Sequence, residues 1–425
     1  MSRQPVEARR QRGRGRQNLL VSTVLLLTGG WPGLAFGQAS GPTDPPGTLR
    51  LGPVSATPTI VVSPFGTDSN VFYEPSDPKS DTTFTLQPAI GVGVHLGPGT
   101  FVSTTTLAWT AYHTYSDQST KNVDEGGRFE LPLNRVTLRA YFDVASDKAR
   151  PGLDIDFRAR YFVSSEGLSA DVQVLPKTVI RVETTTQQTT FQDGVVGLID
   201  LATSMNRTSR ETDLSLRHEL SPLTTVVFSA DWLSDRFTLS PTRNDTGFRL
   251  MPGVEFSKFA LISGSASVGY RRLEPVAPDV PSFGGVAAEV DLASVIRGTL
   301  RISAQVARDV GYSYDPNLPY YIQTGSTGSA TYRLGERWDA EAMVSLQRLA
   351  YRVRSDAGPG QPLATAAGSA VPVPEVITYG LNVGYQLKPG LRLGVINVAQ
   401  ITRTSTSVLG GYTDWQVGSS IRYGY

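Results

Sequence analysis

The sequence predicts an all-β protein, an antiparallel transmembrane β-barrel of about eighteen strands, with sixteen as the alternative. Three observations predict this fold: apolar and polar side chains alternate with a period of two, the alternating runs are long, and the connections between them fall into a short and a long class. Strands in ordinary sheets have about 5–6 residues. Alternation alone also fits a soluble sandwich with one wet face, so the length of the runs and the two classes of connection favour the membrane barrel.

Residues 1–37 are predicted to be a secretory signal peptide. Six arginines precede the apolar run 19–27, and small residues follow at Ala35, Gly37 and Ala39. The run is shorter than the ~20 residues that a spanning helix needs. Residues 38–57 are rich in Pro, Gly, Thr and Ser and are predicted to be a flexible periplasmic leader. The barrel is then predicted over residues 58–425.

Composition excludes several classes of function. The chain has no cysteine, which excludes disulfide scaffolds and thiolate metal sites. Of its 39 basic and 38 acidic residues, the first 37 positions hold six arginines and Glu7, which leaves 33 basic and 37 acidic residues. No basic face is implied, so no nucleic-acid partner is expected.

Residues 153–163, LDIDFRARYFV, are interpreted as one strand of the barrel. The odd positions, such as Leu153 and Ile155, are apolar and are predicted to face lipid. Most even positions are charged, and they are predicted to face water in the lumen, because unpaired charges in a dry core are very costly. A solvent-exposed face of a soluble sheet remains the alternative.

Short turns and longer loops alternate along the chain. Eight short turns are predicted, centred on Pro98-Gly99, Asn134-Arg135, Pro176-Lys177, Pro222-Leu223, Ser257-Lys258, Ser294-Val295, Glu336-Arg337 and Pro389-Gly390. The longer stretches are 192–205, 239–245, 274–282, 310–319 and 355–374. Short periplasmic turns and long outer loops are typical of outer-membrane barrels. Both ends of the barrel are therefore expected on the periplasmic side.

The C-terminal pentapeptide IRYGY places Ile421, Tyr423 and Tyr425 on one face of the last strand. This pattern resembles the C-terminal signal that barrel-assembly machinery reads in outer-membrane proteins. That signal more often ends in phenylalanine and has a glycine where this chain has Ser420, so the match is partial.

Several longer stretches resemble one family of Gram-negative outer-membrane proteins. They are GTDSNVF (66–72), RPGLDIDFRAR (150–160), MNRTSR (205–210), LSPLTT (220–225), DRFTLSPTR (235–243), FALISGSASVGYR (259–271), RDVGYSYD (308–315) and PYY (319–321). Together they resemble the β-barrel porin type 2 family over residues 57–425. The resemblance implies a barrel in the cell outer membrane. Some relatives are linked to exopolysaccharide production and export.

No catalytic, cofactor or metal site is predicted. The histidines His95, His113 and His218 each lie in a strand pattern, and none stands in a nucleophile or zinc motif. Asp154 and Asp156 point the same way about 6–7 Å apart, but neighbouring arginines favour a charged wall over a pair of glycosidase carboxylates.

The remaining candidate site is a charged lumen. Twelve residues are predicted to line it: Arg139, Asp143, Asp154, Asp156, Arg158, Arg160, Arg181, Glu183, Arg297, Arg301, Asp339 and Glu341. Opposed rings of charge filter solutes by charge and size. The sequence thus predicts a non-enzymatic passive pore for small hydrophilic solutes, with outer-membrane lipid and barrel-assembly machinery as partners. A barrel that helps to export or anchor an exopolysaccharide and a plugged structural barrel remain open, as do monomer and trimer.

Overall fold

Long antiparallel strands account for most of the chain in the computed structural model, which describes residues 48–196, 198–257, 260–355, 373–404 and 410–424. The predicted signal peptide lies outside these residues, and so does Tyr425. The strands are β1 Leu49–Leu51, β2 Val54–Asp68, β3 Asp81–Leu96, β4 Gly99–Tyr112, β5 Thr120–Pro132, β6 Val136–Ala149, β7 Ala159–Leu175, β8 Thr178–Phe191, β9 Val195–Val196, β10 Ile199–Asp200, β11 Arg207–Ser221, β12 Thr224–Phe237, β13 Asp245–Phe256, β14 Ile262–Pro275, β15 Phe283–Ile296, β16 Leu300–Tyr312, β17 Tyr320–Leu334, β18 Trp338–Arg352, β19 Glu375–Lys388, β20 Leu391–Arg403 and β21 Tyr412–Tyr423.

Eighteen of the described strands, β2–β8 and β11–β21, close into one barrel. Each pairs with its neighbour in the chain, and β2 pairs with β21, with Ile60 opposite Tyr423. The predicted eighteen-stranded antiparallel barrel is confirmed. The short β1 adds to the start of β2, and β2 itself begins at Val54, inside the segment expected to be a flexible leader.

Within the residues that the structure describes, helix is confined to three short pieces in the long loops. They are α1, Leu201–Met205, and two 3₁₀ turns, Ser116–Gln118 and Pro241–Arg243. Asp200 caps α1, since its carboxylate accepts hydrogen bonds from the backbone N–H groups of Ala202 (3.3 Å) and Thr203 (3.1 Å). None of the helices in the described ranges has the length and apolar character needed to cross a membrane.

Seven of the eight predicted short turns lie where the sequence places them, although Lys258 is outside the described residues. The turn predicted at Ser294-Val295 is wrong by three residues, because both positions belong to β15. The chain reverses at Arg297 and Gly298, which take positive φ angles of 51° and 71°. Glycine adopts that conformation without steric cost, so Gly298 fixes the place of the turn.

The pleat of the strands puts apolar side chains outside the barrel and polar ones inside. In β8, Val182 is exposed on the outer face, while Arg181 and Glu183 on either side of it are buried on the inner face. Aromatic side chains occur near both ends of the outer face. Trp338 and Tyr385 lie at the short-turn end, with ring centroids 4.9 Å apart.

Candidate functional site

The segment that joins β6 to β7, residues 150–158, folds into the barrel; we call it the inner segment. It was predicted to be part of a membrane-crossing strand, and that prediction is wrong, since β7 begins only at Ala159. Pro151 and Gly152 end the extended run of β6, and both favour a turn. Leu153 and Ile155, which were predicted to face lipid, are 5% and 3% exposed inside the barrel.

Two apolar clusters anchor the inner segment to opposite parts of the wall. Leu153 belongs to a cluster with inward side chains of β17–β21, including Tyr351 and Ile401. Ile155 belongs to a second cluster with Tyr161 of β7 and Phe191 of β8. Burying one such aliphatic side chain contributes about 1.5–3 kcal/mol. The segment therefore bridges the lumen.

Asp154 is buried between the two clusters. Its carboxylate accepts a hydrogen bond from the Tyr351 hydroxyl and another from the backbone N–H of Tyr314, at 3.1 Å. Burial raises the pKa of Asp154 above its ordinary value, and these two hydrogen bonds oppose the increase. Asp154 was predicted to lie in a strand and to face water in the lumen; it lies instead in a buried connection between two strands.

Asp156 ties the inner segment to the last hairpin of the barrel. Its Oδ1 lies 2.8 Å from Nη2 of Arg150 and also accepts a hydrogen bond from Nη1 of Arg403. The Arg403 side chain, at the end of β20, is fully buried. Removing one member of a buried ion pair leaves an uncompensated charge, which costs about 3–5 kcal/mol. Asp156 is thus the main polar latch of the segment.

Arginine–tyrosine contacts complete the anchoring. The Arg150 guanidinium lies 4.4 Å from the ring centre of Tyr73 and donates a 2.6 Å hydrogen bond to the Tyr412 hydroxyl. Arg158 donates to the Tyr112 hydroxyl, also at 2.6 Å, and to the backbone carbonyl of Val71 at 2.8 Å. Cation–π contacts of this kind contribute about 2 kcal/mol when they are desolvated.

Other long loops pack beside the inner segment. Arg243 donates hydrogen bonds to the carbonyls of Ser204 (2.7 Å) and Pro319 (2.9 Å) and to that of Ser313. Burial lowers the pKa of Arg243 to about 10. One arginine therefore joins three loops, 192–206, 238–244 and 313–319, across the same end of the barrel.

Below these loops, inward charges form ladders along the wall. Arg139 lies 2.9 Å from a Glu130 carboxylate oxygen and 2.7 Å from one of Asp171, and Arg181 lies 2.6 Å from the other oxygen of Asp171. The four residues belong to four consecutive strands, so the ladder follows the circumference. Arg139 and Arg181 take the inward positions that the sequence predicted.

A second network surrounds Arg249 on the neighbouring wall. Its guanidinium contacts carboxylates of Asp231 (2.7 Å), Glu211 (3.0 Å) and Asp309 (3.0 Å), and Arg271 reaches Asp309 at 2.6 Å. A wall pocket of about 80 Å³ lies beside it. Five carboxyl and three guanidinium groups line this pocket: Glu183, Glu211, Asp213, Asp231, Glu289, Arg181, Arg217 and Arg249.

Most of the other predicted lumen charges lie on the inner face. Asp339 accepts a 3.0 Å hydrogen bond from Arg392, and Glu341 follows it at the same parity. Asp143 shares the inward parity of Arg139, and Arg301 shares that of Asp309.

Two of the predicted lumen residues lie elsewhere, and three reach the lumen by a different route. Arg160 has the outward parity of the exposed Leu168, and Arg297 lies in a turn at the short-turn end. The reason is that β7 starts at Ala159 and β15 ends at Ile296. Asp154, Asp156 and Arg158 belong to the inner segment and not to a strand.

Sequence reasoning missed the residues that hold the inner segment. They are Tyr73, Tyr112, Tyr351, Arg403 and Tyr412. A lone tyrosine or arginine at the end of a strand carries no signal of a partner far away in the sequence. The Pro151-Gly152 pair was a usable signal that the strand does not continue.

The histidines lie far apart in the fold. His95 has inward parity beside a short turn, and His113 follows the end of β4 at the long-loop end. His218 faces outward, where its Nδ1 lies 3.0 Å from the Thr178 hydroxyl. In the C-terminal strand, Ile421 and Tyr423 lie on the same face, which is the outward one, and their role as an assembly signal stays a prediction.

Comparison with solved structures finds distant barrels. The FrpB iron transporter from Neisseria meningitidis is 12% identical with a TM-score of 0.47, and the match covers 88% of this chain and 78% of that one. A BenF-like porin from Pseudomonas fluorescens Pf-5 is 9% identical with a TM-score of 0.46, over 87% and 99%. The siderophore receptor PirA from Acinetobacter baumannii is 7% identical with a TM-score of 0.41, over 87% and 80%. At these TM-scores, none of the three structures indicates the function of this protein.

No curated protein matches the chain. The family described as "Putative beta-barrel porin 2" matches residues 42–405, most of the chain. The protein therefore belongs to the putative beta-barrel porin 2 family.

Proposed function

We propose that the protein is a restricted passive pore for small hydrophilic solutes in the outer membrane, with the inner segment at its narrowest part. The observation that carries this proposal is that segment, which is bound across the lumen through Asp154 and Asp156 above a wall of paired charges. The charged wall suits a water-filled path, and the segment limits which solutes can use it.

The surface pattern supports the membrane location. Exposed apolar side chains such as Leu168, Val268 and Leu381 cover the outer face between the two ends, while short turns occupy one end and long loops the other. In outer-membrane barrels the short turns are periplasmic. The inner segment would therefore restrict the barrel at its extracellular mouth.

The inner wall supports hydrophilic solutes and favours cations. Among the described strands, inward acidic side chains outnumber inward basic ones, and serine and threonine fill many remaining positions. Asp213 and Asp231 stand directly opposite each other in the pairing of β11 with β12. An excess of carboxyl groups on a wall raises the local concentration of cations.

A closed structural barrel is the second candidate. The mouth contains two apolar clusters that are buried on both sides of the inner segment. Such packing would also suit a barrel that never conducts and serves at the cell surface. No catalytic role is proposed, because the histidines are dispersed and face different compartments.

Conductance of the refolded protein in planar bilayers tests the proposal. A small finite conductance with a cation-selective reversal potential is expected, and the variant Asp213→Asn/Asp231→Asn should reduce the selectivity while the conductance remains. Zero conductance both in the wild type and after removal of the inner segment would reject the pore and favour the structural barrel. Block by added oligosaccharide would redirect the proposal to a polysaccharide path.

A further inference from the structure

The outer face of the barrel carries two arginines that stand apart from the charge networks of the inner face. Arg210 on β11 and Arg236 on β12 are both exposed. Both have the parity of the outward Leu214 and Trp232. No carboxylate lies within 4 Å of either guanidinium among the residues that the structure describes. By contrast, Arg249 on the inner face contacts three carboxylates.

Two of the other outward arginines have carboxylate partners. Arg272 lies 2.7 Å from Glu274, and Arg348 lies 2.8 Å from Glu375. Those partners neutralise the charge locally. Arg210 and Arg236 therefore keep their full charge and their hydrogen-bond donors for a group outside the protein.

The strand register brings the two arginines together. Arg210 lies opposite Ser234, and Arg236 lies opposite Thr208, so the arginines are diagonal neighbours on one face. Diagonal residues in an antiparallel pair are about 7–8 Å apart, which allows two long side chains to converge on one ligand. On the other side of β11, Gln188 lies opposite Thr208 and supplies an amide.

The surface below the arginines is apolar. Trp232, Leu214 and Phe228 are 54%, 43% and 46% exposed on the same face, toward the short-turn end. Tryptophan prefers the headgroup layer of a membrane. The arginines are thus placed where apolar chains would give way to charged headgroups.

We propose that Arg210 and Arg236 form a binding site for the phosphate group of a membrane lipid, whose acyl chains lie along Trp232 and Leu214. Guanidinium groups bind phosphate oxygens in a bidentate manner. The inference rests on the membrane location in the proposed function but not on the pore.

Native mass spectrometry of the refolded full chain in detergent tests the site. The probes are diphosphorylated lipid A, the same lipid without phosphate, and inorganic phosphate. We expect an adduct with the phosphorylated lipid that weakens about tenfold in Arg210→Gln/Arg236→Gln. The Arg210→Lys/Arg236→Lys variant should recover part of the binding, since it keeps the charge without the planar fork.

The matched control is Arg135→Gln/Lys177→Gln, which removes two exposed charges at the short-turn end. It should bind the lipid as the wild type does. Equal loss in the control, equal binding of the phosphate-free lipid, or equally tight binding of inorganic phosphate would overturn the proposal. Heat-modifiable migration on gels confirms that each variant has folded. Conductance measured on the same variants separates failure of this site from failure of the pore.

Discussion

The two ends of the lumen are built differently. At the long-loop end, inward tyrosines such as Tyr351 and Tyr412 are almost fully buried by the inner segment, whereas at the short-turn end the inward Val102 and Val295 are about half exposed. The same pleated wall therefore supports a packed interior at one end and a water-accessible one at the other. The difference teaches that one nine-residue connection, 150–158, is enough to fill one end of the barrel; in the proposed pore, the wall would form the path and this connection would set its width.

Removal of the inner segment should have the largest effect on this difference. Replacing residues 151–157 by two glycines is expected to increase single-channel conductance several-fold, because it removes Leu153, Asp154, Ile155 and Asp156 from the lumen. Planar-bilayer recordings measure the change. Arg135→Gly in a short turn is the control and should leave conductance unchanged. An unchanged conductance in the deletion variant would mean that the restriction lies elsewhere.

Loss of the ionic latch should have the next largest effect. Asp156→Asn leaves the buried Arg150 and Arg403 without their carboxylate, which should weaken closure by about 3 kcal/mol. We expect frequent openings in bilayer recordings and faster protease cleavage near residue 156. Arg135→Gln, which changes an exposed charge at the far end, is the comparison. An opening frequency equal to that of the wild type would show that the apolar clusters alone hold the segment.

A pH dependence should follow from Asp154. Because burial raises its pKa in the folded mouth, the contribution of Asp154 to closure is complete below its ordinary pKa of about 3.9 and is lost as the pH rises through the raised value. Conductance should therefore increase as the pH rises from the ordinary pKa of an aspartate through the raised pKa of Asp154. Arg403, Tyr351, Tyr314 and Ser313 surround the carboxyl and do not reverse this direction.

Asp154→Asn is the matched variant for that titration. It keeps the size of the side chain and cannot ionise, so its conductance should vary less with pH than that of the wild type. A wild-type conductance that decreases as the pH rises would contradict the assignment to Asp154.

The smallest effect is expected at the short-turn end. Trp338→Ala removes the ring that packs on Tyr385 and should lower the free energy of unfolding by about 1 kcal/mol. Conductance should stay the same, because both rings lie on the outer face. Urea titration of the barrel in lipid vesicles measures the first quantity, and bilayer recordings measure the second. A changed conductance would mean that the two ends are coupled.

The barrel could be predicted from the sequence because its determinants are local. Alternation in segments such as Val136–Ala149 and turn residues such as Pro389-Gly390 act within a few residues, and most of the strands and turns were predicted on that basis. The turn at Arg297-Gly298 was misplaced because Ser294, a residue type that is common in turns, lies three positions before it.

The mouth could not be predicted in the same way. In residues 153–158, apolar and charged side chains alternate as they do in a strand. The apolar ones enter two clusters inside the barrel and do not face lipid. Their partners, such as Arg403 and Tyr351, are about two hundred or more positions away. The longest predicted loop, 355–374, lies almost wholly outside the described residues, so it stays a prediction.

The pairing of Ile60 with Tyr423 has a consequence for biogenesis. The sheet loses its free edges only when its first and last long strands meet, so the barrel can close only after the last strand is available. A chain lacking Tyr412–Tyr423 would expose the edges of both β2 and β20. Such a truncation should leave the product aggregated, with no partly working intermediate.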